Sequence, residues 1–593
     1  MSFASSDQVR TARDFEATQE APLYTASTAF LEALVEAGVT HVFANWGSDH
    51  PALIEALAEA RAHGRAMPAI ITCPNEMVAM SAAHGFAQTT GRPQAVFVHV
   101  ECGTQSLGGA VHNAAKGRAP VLVFAGSSPS TQEGEARGSR NEFIQWIQDV
   151  HDQRGIVRGY MRYDNEIRQA ANIKQLVHRA LQFAKSDPKG PVYLMGSREV
   201  MEQEIEPPRV DPAAWQRVSP GALTAADVEA VAADLADAKR PLVVTSYLGR
   251  SPAAVGELVR LCDRLGIGVL ESVPNWMNFP TDNPLYQGNQ WNDPRQNEAL
   301  AEADVVLVLD SDVPWIPTVS RPSPQARIHH VDVDPIKEQM PLWSIPAARV
   351  MRADCATALA QINAHLDTTS PDERAAHERR AHYRQRHEAR AARLAAREVP
   401  GTDEAIAGEY VTACVRRILD LDTLVMMEGI SQYGVMIDHL RMTRPWSLFG
   451  SGAGSLGWNG GAAIGAKLAH PDKTVIALCG DGSYMFSAPS SVHWIARHYR
   501  TPFLTVVYNN RGWKSPKLSA LAVHPTGYAS RANDLDTSFD PPPDYAGIAA
   551  AAGGAFARTV KRPEEVESAL AEALRVVREE QRCAVLDVWI PRL

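Results

Sequence analysis

The chain alternates short, β-branched apolar runs with longer segments in which apolar residues recur every three or four positions. That alternation predicts parallel strands joined by helices covering both faces of a sheet. It occupies three stretches. In residues 23–200, strands are expected within 41–47, 69–73, 94–100, 119–126 and 190–196, with amphipathic helices such as 29–38 and 51–64 between them. Residues 222–366 offer strands within 240–249, 267–272, 303–310 and 326–335, and residues 402–593 within 422–429, 445–451, 473–482, 502–510 and 583–590. A Pro- and acid-rich break at 201–221 separates the first two stretches. Between the second and third, residues 367–401 form a highly charged, Ala-rich helical pattern without a broad apolar stripe, which reads as a solvated linker. The expected fold is α/β, with three doubly wound parallel-sheet domains, the first and third similar enough in size and pattern to suggest a duplicated fold. Residues 1–22 are polar and read as a loosely docked arm.

Composition narrows the function classes. Of 593 residues 45% are hydrophobic and 21% charged, and 58 Lys+Arg against 68 Asp+Glu gives a net charge of −10. This is a globular composition with a mildly acidic surface, and nothing in it recommends a nucleic-acid partner. No stretch approaches the ~20 apolar residues of a membrane span, and the first residues lack the apolar core of a signal peptide. Seven cysteines lie far apart without a C-x-x-C pair, which argues against a zinc cluster and a disulfide framework and for a reducing, cytoplasmic compartment.

The chemistry concentrates in the third stretch. An apolar strand ends in Gly480-Asp481-Gly482-Ser483, a helical pattern follows, and the next strand ends in Asn509-Asn510-Arg511-Gly512. Ligands of open α/β sheets bind in the crevice beyond the strand C-termini. Glycines there let backbone N–H groups approach a phosphate, while a carboxylate, an amide oxygen and a carbonyl suit a hard divalent cation. The plainer explanation, two polar turns after buried strands, fits each motif alone but not both in this order.

This pair of motifs resembles the diphosphate and metal motif of the thiamine-diphosphate (ThDP) enzymes of the pyruvate decarboxylase, benzoylformate decarboxylase and acetolactate synthase superfamily. The likeness extends over nearly the whole chain, since those enzymes consist of pyrimidine, central and pyrophosphate domains in that order. It implies Mg²⁺ ligation by Asp481, Asn510 and the main-chain oxygen of Gly512, and diphosphate contacts from Gly480, Gly482, Ser483, Asn510, Gly429 and Ser431. The loop Gly452–Trp458 resembles the one that bends the cofactor, with Leu456 wedged between its rings and the Gly454 carbonyl accepting from the aminopyrimidine. Glu76, which opens an apolar helix and would otherwise be put down to the helix dipole, falls where the superfamily keeps the glutamate that hydrogen-bonds the pyrimidine and assists removal of the C2 proton. His99 and Ser48 align with a catalytic histidine and an active-site serine of benzoylformate decarboxylase. The same histidine, read without that resemblance, is a core residue inside an apolar strand. His50 could face the site or solvent, and His112-Asn113 read as structural.

The resemblance further implies a homo-oligomer, with domains meeting across a subunit interface in a dimer of active sites, or a tetramer built from it. The activity implied is ThDP- and Mg²⁺-dependent cleavage or formation of a C–C bond next to a carbonyl, with a 2-oxo acid as donor, by decarboxylation or acetolactate-synthase-like carboligation. An alternative within the superfamily is a 2-hydroxyacyl-CoA or oxalyl-CoA type lyase with an acyl-CoA substrate, for which Lys514 and Lys517 would steer a phosphate. An alternative of another class is a catalytically silent regulatory paralogue. The central stretch could hold FAD or the ADP group of coenzyme A, but Tyr247-Leu248-Gly249-Arg250 has one glycine where a phosphate loop wants several, so no nucleotide is expected there. His329-His330 read as a strand end. Residues 513–543, rich in Ser, Pro, Asp and Gly, read as a long loop that is either a lid or disordered.

Overall fold

The computed structural model describes residues 23–532 and 535–592, so the arm expected at 1–22 lies outside the described residues. Three six-stranded sheets are built entirely from parallel pairings. The first contains β1 (His41–Ala44), β2 (Ala69–Thr72), β3 (Gln94–Val98), β4 (Val121–Ser127), β5 (Tyr163–Ile167) and β6 (Val192–Ser197). The central sheet contains β7 (Pro241–Thr245), β8 (Gly268–Glu271), β9 (Tyr286–Asn289), β10 (Val305–Leu309), β11 (Arg327–Asp332) and β12 (Arg349–Arg352). After a small antiparallel hairpin, β13 (Gly401–Thr402) and β14 (Ala405–Ile406), the third sheet contains β15 (Thr423–Glu428), β16 (Leu448–Gly450), β17 (Thr474–Gly480), β18 (Leu504–Asn509), β19 (Phe556–Val560) and β20 (Ala584–Trp589).

The first and third sheets share one permutation, β2-β1-β3-β4-β6-β5 and β16-β15-β17-β18-β20-β19, as a duplicated fold requires. The central sheet differs: β9-β8-β7-β10-β11-β12 is the 3-2-1-4-5-6 order of dinucleotide-binding folds. Strands covered by helices on both faces need apolar residues throughout, and β3, β7 and β10 are buried along their whole length. Helices Glu76–Thr90 and Trp458–Ala469 join the first and third domains, packing through small residues. A Cβ on Gly465 would collide with the Ala82 carbonyl, and one on Gly461 would lie 2.6 Å from the Ser81 Cβ.

Two expectations need correction. The charged segment forms the helix Glu373–Ala395, but it is docked rather than merely solvated. Tyr383, 1% exposed, donates to the Pro241 carbonyl at 2.8 Å, and Arg379 donates to the carbonyls of Ala236 and Ala238. One aromatic and one arginine thus do what a broad apolar stripe does elsewhere. Residues 513–543 are not a structureless loop either: they contain helices Lys514–Val523 and Tyr528–Ala532 above a pinned base, where the Trp513 N–H reaches the Thr537 carbonyl at 2.8 Å and the Phe539 N–H the Arg511 carbonyl at 2.9 Å.

Candidate active site

Four neighbouring strand ends of the third sheet enclose a cavity of about 370 Å³. β15 delivers Gly429 and Ser431, β16 leads to the loop carrying Gly454 and Leu456, β17 delivers Gly480–Ser483, and β18 delivers Asn510 and Gly512. β17 and β18 pair directly, Gly480 opposite Tyr508, which sets Asp481 beside Asn510. Their oxygens converge: Asp481 Oδ2 and Asn510 Oδ1 accept from the same Gly512 N–H, at 3.0 and 3.1 Å. Asp481 Oδ1 accepts from the Gly482 N–H at 2.9 Å. Burial pushes the Asp481 carboxyl up to about 6 against those N–H bonds, and the neighbouring Asp587 charge pushes the same way. The neighbouring cation, Arg511, turns away to the carbonyls of Glu404 and Ile590 and the Trp589 ring. A buried carboxylate so placed needs a counter-charge, and a carboxylate, an amide and a carbonyl are a donor set for a hard cation. Among the described residues no three His, Cys, Asp or Glu side chains cluster as a softer metal would require. Nothing lies within 4 Å of the place a Cβ would take on Gly454, and at Gly480 the nearest atom is 3.9 Å away, so both backbones are open to the cavity.

The glycine loop is anchored from two sides. Glu428, at the end of β15, accepts from the Gly457 N–H at 2.6 Å, the Asn459 N–H at 2.8 Å and the Asn459 Nδ2 at 2.7 Å; burial pushes its carboxyl up to about 7 against these bonds. Asn113 of the first domain donates to the Ser455 carbonyl at 2.8 Å and accepts from the Ser455 N–H at 3.2 Å, a structural tie in keeping with its reading.

The corresponding strand ends of the first sheet gather the other candidates. Glu76 is the first residue of the helix after β2, behind the cap Asn75. Ser48 follows β1, with a buried Oγ that has no hydrogen-bond partner. His99 is not inside a strand: β3 ends at Val98, and His99 caps the helix Val100–Ser106 with its side chain 22% exposed. The intervening elbow places the β-branched Val100 at φ 28°, a strained conformation of the kind stored at functional sites; Ile430, beside the cavity, has φ 48°. His99 Nδ1 bonds Asp49 Oδ1 at 2.6 Å and Nε2 bonds Gln148 Oε1 at 3.0 Å. The Asp49 bond, opposed by burial, holds the His99 imidazole above its ordinary pKa. His50 faces neither site nor solvent. It is fully buried near Trp46, Phe97 and Phe124, and burial depresses it.

The cavity is lined only by residues between 429 and 516, and Glu76, Ser48 and His99 do not border it. Lys514 lines its rim, and Lys517 does not. Sequence reasoning missed Asp49, Gln148 and the anchoring task of Glu428. The only signal for Asp49 was an acid in the turn after β1. In the central domain, the switch point between β7 and β10 is filled by buried ions: Arg118 of the first domain reaches Asp332 at 3.1 Å and Asp312 at 3.2 Å, Lys337 reaches Asp332 at 2.8 Å, and Arg250 reaches Asp310 at 3.0 Å.

Comparison with known proteins gives three family models in chain order: the N-terminal TPP binding domain of thiamine pyrophosphate enzymes over residues 24–156, their central domain over 228–362 and their C-terminal TPP binding domain over 429–588. A sulfoacetaldehyde acetyltransferase of Castellaniella defragrans is 25% identical over 592 residues, covering 96% of this chain and 93% of that protein. A benzoylformate decarboxylase of Pseudomonas aeruginosa is 25% identical over 502 residues, covering 82% and 86%. The crystal structure of benzoylformate decarboxylase from Polynucleobacter necessarius superposes with a TM-score of 0.77 at 18% identity, covering 96% of this chain and 99% of the other.

Proposed function

The chain belongs to the thiamine pyrophosphate enzyme family, and on that premise we propose that its third-domain cavity takes the diphosphate of ThDP through Mg²⁺ held by Asp481, Asn510 and the Gly512 carbonyl, for chemistry on a 2-oxo acid. The observation that carries the reading is the convergence of the Asp481 and Asn510 oxygens on one N–H, in a glycine-walled cavity where the neighbouring Arg511 turns away from the buried carboxylate. Bound ThDP supplies an electron sink for the carbanion left when a bond beside a carbonyl breaks. The chain's own groups do the rest. Gly480, Gly482 and Ser483 offer backbone N–H groups to the diphosphate, Leu456 shapes the ring pocket, Glu76 holds the pyrimidine in its proton-removing tautomer, and His99 and Ser48 handle protons and carbonyl oxygen at the reacting carbon. Relatives named for decarboxylation and for acetyl transfer favour decarboxylation followed by release or carboligation.

Glu76 and His99 complete this site when a second copy brings its first domain over the cavity. Exposed apolar side chains flank both halves: Phe143, Trp146 and Ile147 near Gln148, and Phe486, Trp513, Leu518 and Tyr528 around the cavity and its overlying helices. We read these exposed apolar side chains as the surface that a second copy covers. A homodimer is therefore the smallest active unit in this reading, and the 513–543 segment is its lid. Among the described residues no helix is long and apolar enough to cross a membrane.

The test is proton exchange at C2 of ThDP, followed by NMR in the purified protein with Mg²⁺. Exchange far faster than in free cofactor is expected, and exchange at the free rate refutes the reading. A screen of 2-oxo acids with aldehyde acceptors, read by carbon dioxide and ligated product, then fixes the substrate. Lys514 at the cavity rim favours one alternative, an acyl-CoA lyase, which thermal protection by coenzyme A would reveal.

A further inference from the structure

We propose that Asp49 is a positioning residue: it fixes the His99 ring through Nδ1–H and leaves Nε2–H as the exchangeable donor toward a substrate oxygen. The inference rests on reading His99 as the proton-handling group. Asp49 is 5% exposed and spends both oxygens on one elbow, Oδ1 on His99 Nδ1 at 2.6 Å and Oδ2 on the Val100 N–H at 3.1 Å. Its carboxylate sits in a socket that exists only because two residues lack side chains. A Cβ on Gly126, in β4, would collide with the carboxylate, and one on Gly47 would collide with the His99 ring. Three adjacent strand ends, β1, β3 and β4, thus define where the ring stands, with little freedom to rotate.

The other ring nitrogen is held differently. Gln148, 3.0 Å from Nε2, follows a four-residue helix whose flanking Phe143 and terminal Ile147 are 90% and 78% exposed. With carboxylate and amide oxygens as acceptors both nitrogens can donate, and the Asp49 bond favours the imidazolium. A substrate oxygen can replace the Gln148 oxygen without disturbing Asp49. The titratable groups facing His99 are Asp49 and His50 in the turn after β1, and Glu101 on its own helix. His50 Nδ1 accepts the Gly47 N–H at 3.0 Å and lies 3.2 Å from Asp49 Oδ1, and burial holds the His50 pKa below its ordinary value.

Asp49→Asn keeps the shape and removes the charge. In ThDP-loaded enzyme labelled with ¹⁵N-histidine, with the His99 signal assigned by His99→Gln, the His99 midpoint should fall by about one pH unit or more. A proton donor loses activity as pH rises through its pKa, so the alkaline limb of kcat should move to lower pH by the same amount. At neutral pH kcat should fall at least about tenfold with KM unchanged. In a His99→Gln background, Asp49→Asn should cost nothing further, because a positioning residue acts only through the group it positions. In the parent enzyme the Nδ1–H should appear as a low-field, slowly exchanging proton, and its absence overturns the proposal even if no variant folds. An unmoved His99 midpoint in the Asn variant, or an equal loss in the His99→Gln background, also overturns it. A shifted midpoint in an enzyme that turns over no 2-oxo acid supports the Asp49 linkage and refutes the substrate reading.

Discussion

Glu428 lies at the end of β15 with both oxygens committed to the N–H groups of Gly457 and Asn459. Glutamine there would turn an amide NH₂ toward a backbone N–H, a donor facing a donor. Above pH 7, where the carboxyl is ionised, Glu428→Gln should therefore cost about 1–3 kcal/mol, read from the urea midpoint, and loosen the loop carrying Gly454 and Leu456 enough to weaken ThDP binding. The folded carboxyl is raised from its ordinary 4.5 to about 7, so the folded state keeps a proton that the unfolded state has lost. This contribution is complete below 4.5 and fades as pH rises toward 7 and beyond; the Gln variant should lack that slope. Glu76 is only half-buried and is proposed to meet the cofactor. Glu76→Ala should slow C2 exchange by roughly 10²–10⁴-fold while ThDP still binds, whereas Asp481→Ala should release the cofactor, as calorimetry with Mg²⁺ would record. Asp481 and Asn510 stood out as candidates because residue type and strand-end position are both local facts, whereas Glu76 was picked out only by the family resemblance. Asp49 did not stand out, because an acid in a turn acquires meaning only when β1, β3 and β4 are known to be neighbours.

At the scale of elements, the four strands of the six-stranded sheets that the hydrophobic pattern did not disclose, β5, β9, β12 and β19, are all sheet edges. An edge strand has a neighbour on one side only, so sequences such as YDNEI and RVMR tolerate polar residues that would end a central strand. The docked helix Glu373–Ala395 escaped for a related reason, since Tyr383 and Arg379 hold it without an apolar face. The helix pair Glu76–Thr90 and Trp458–Ala469 is the reverse case, where small residues visible in the sequence become decisive only once the helices touch. Gly465→Val should force them apart and cost about 1–3 kcal/mol, with ThDP affinity falling in step as the Glu428-anchored loop shifts. Unchanged stability would mean the helices separate freely.

For the whole molecule, the decisive question is where the two halves of the site meet. If each site joins the first domain of one subunit to the third domain of its partner, Glu76→Ala and Asp481→Ala subunits should complement one another. A mixed dimer then contains one site carrying both substitutions and one carrying neither. Co-refolded mixtures should recover activity that neither variant shows alone, and sedimentation should show at least a dimer. Failure of dimeric mixtures to recover activity would place both halves within one chain.

The sequence by itself determined the α/β class, the three parallel sheets and the strand-end motifs, because each follows from local periodicity or from residue type at a turn; the family entered through the resemblance those motifs carry. Only the tertiary structure decided the strand permutations, the glycine socket that seats Asp49, the anchoring of the 452–458 glycine loop by Glu428 and Asn113, and the ion-filled crevice of the central domain. Those features depend on which strand ends lie side by side, and that is fixed by long-range packing between residues whose separation in the chain carries no local mark.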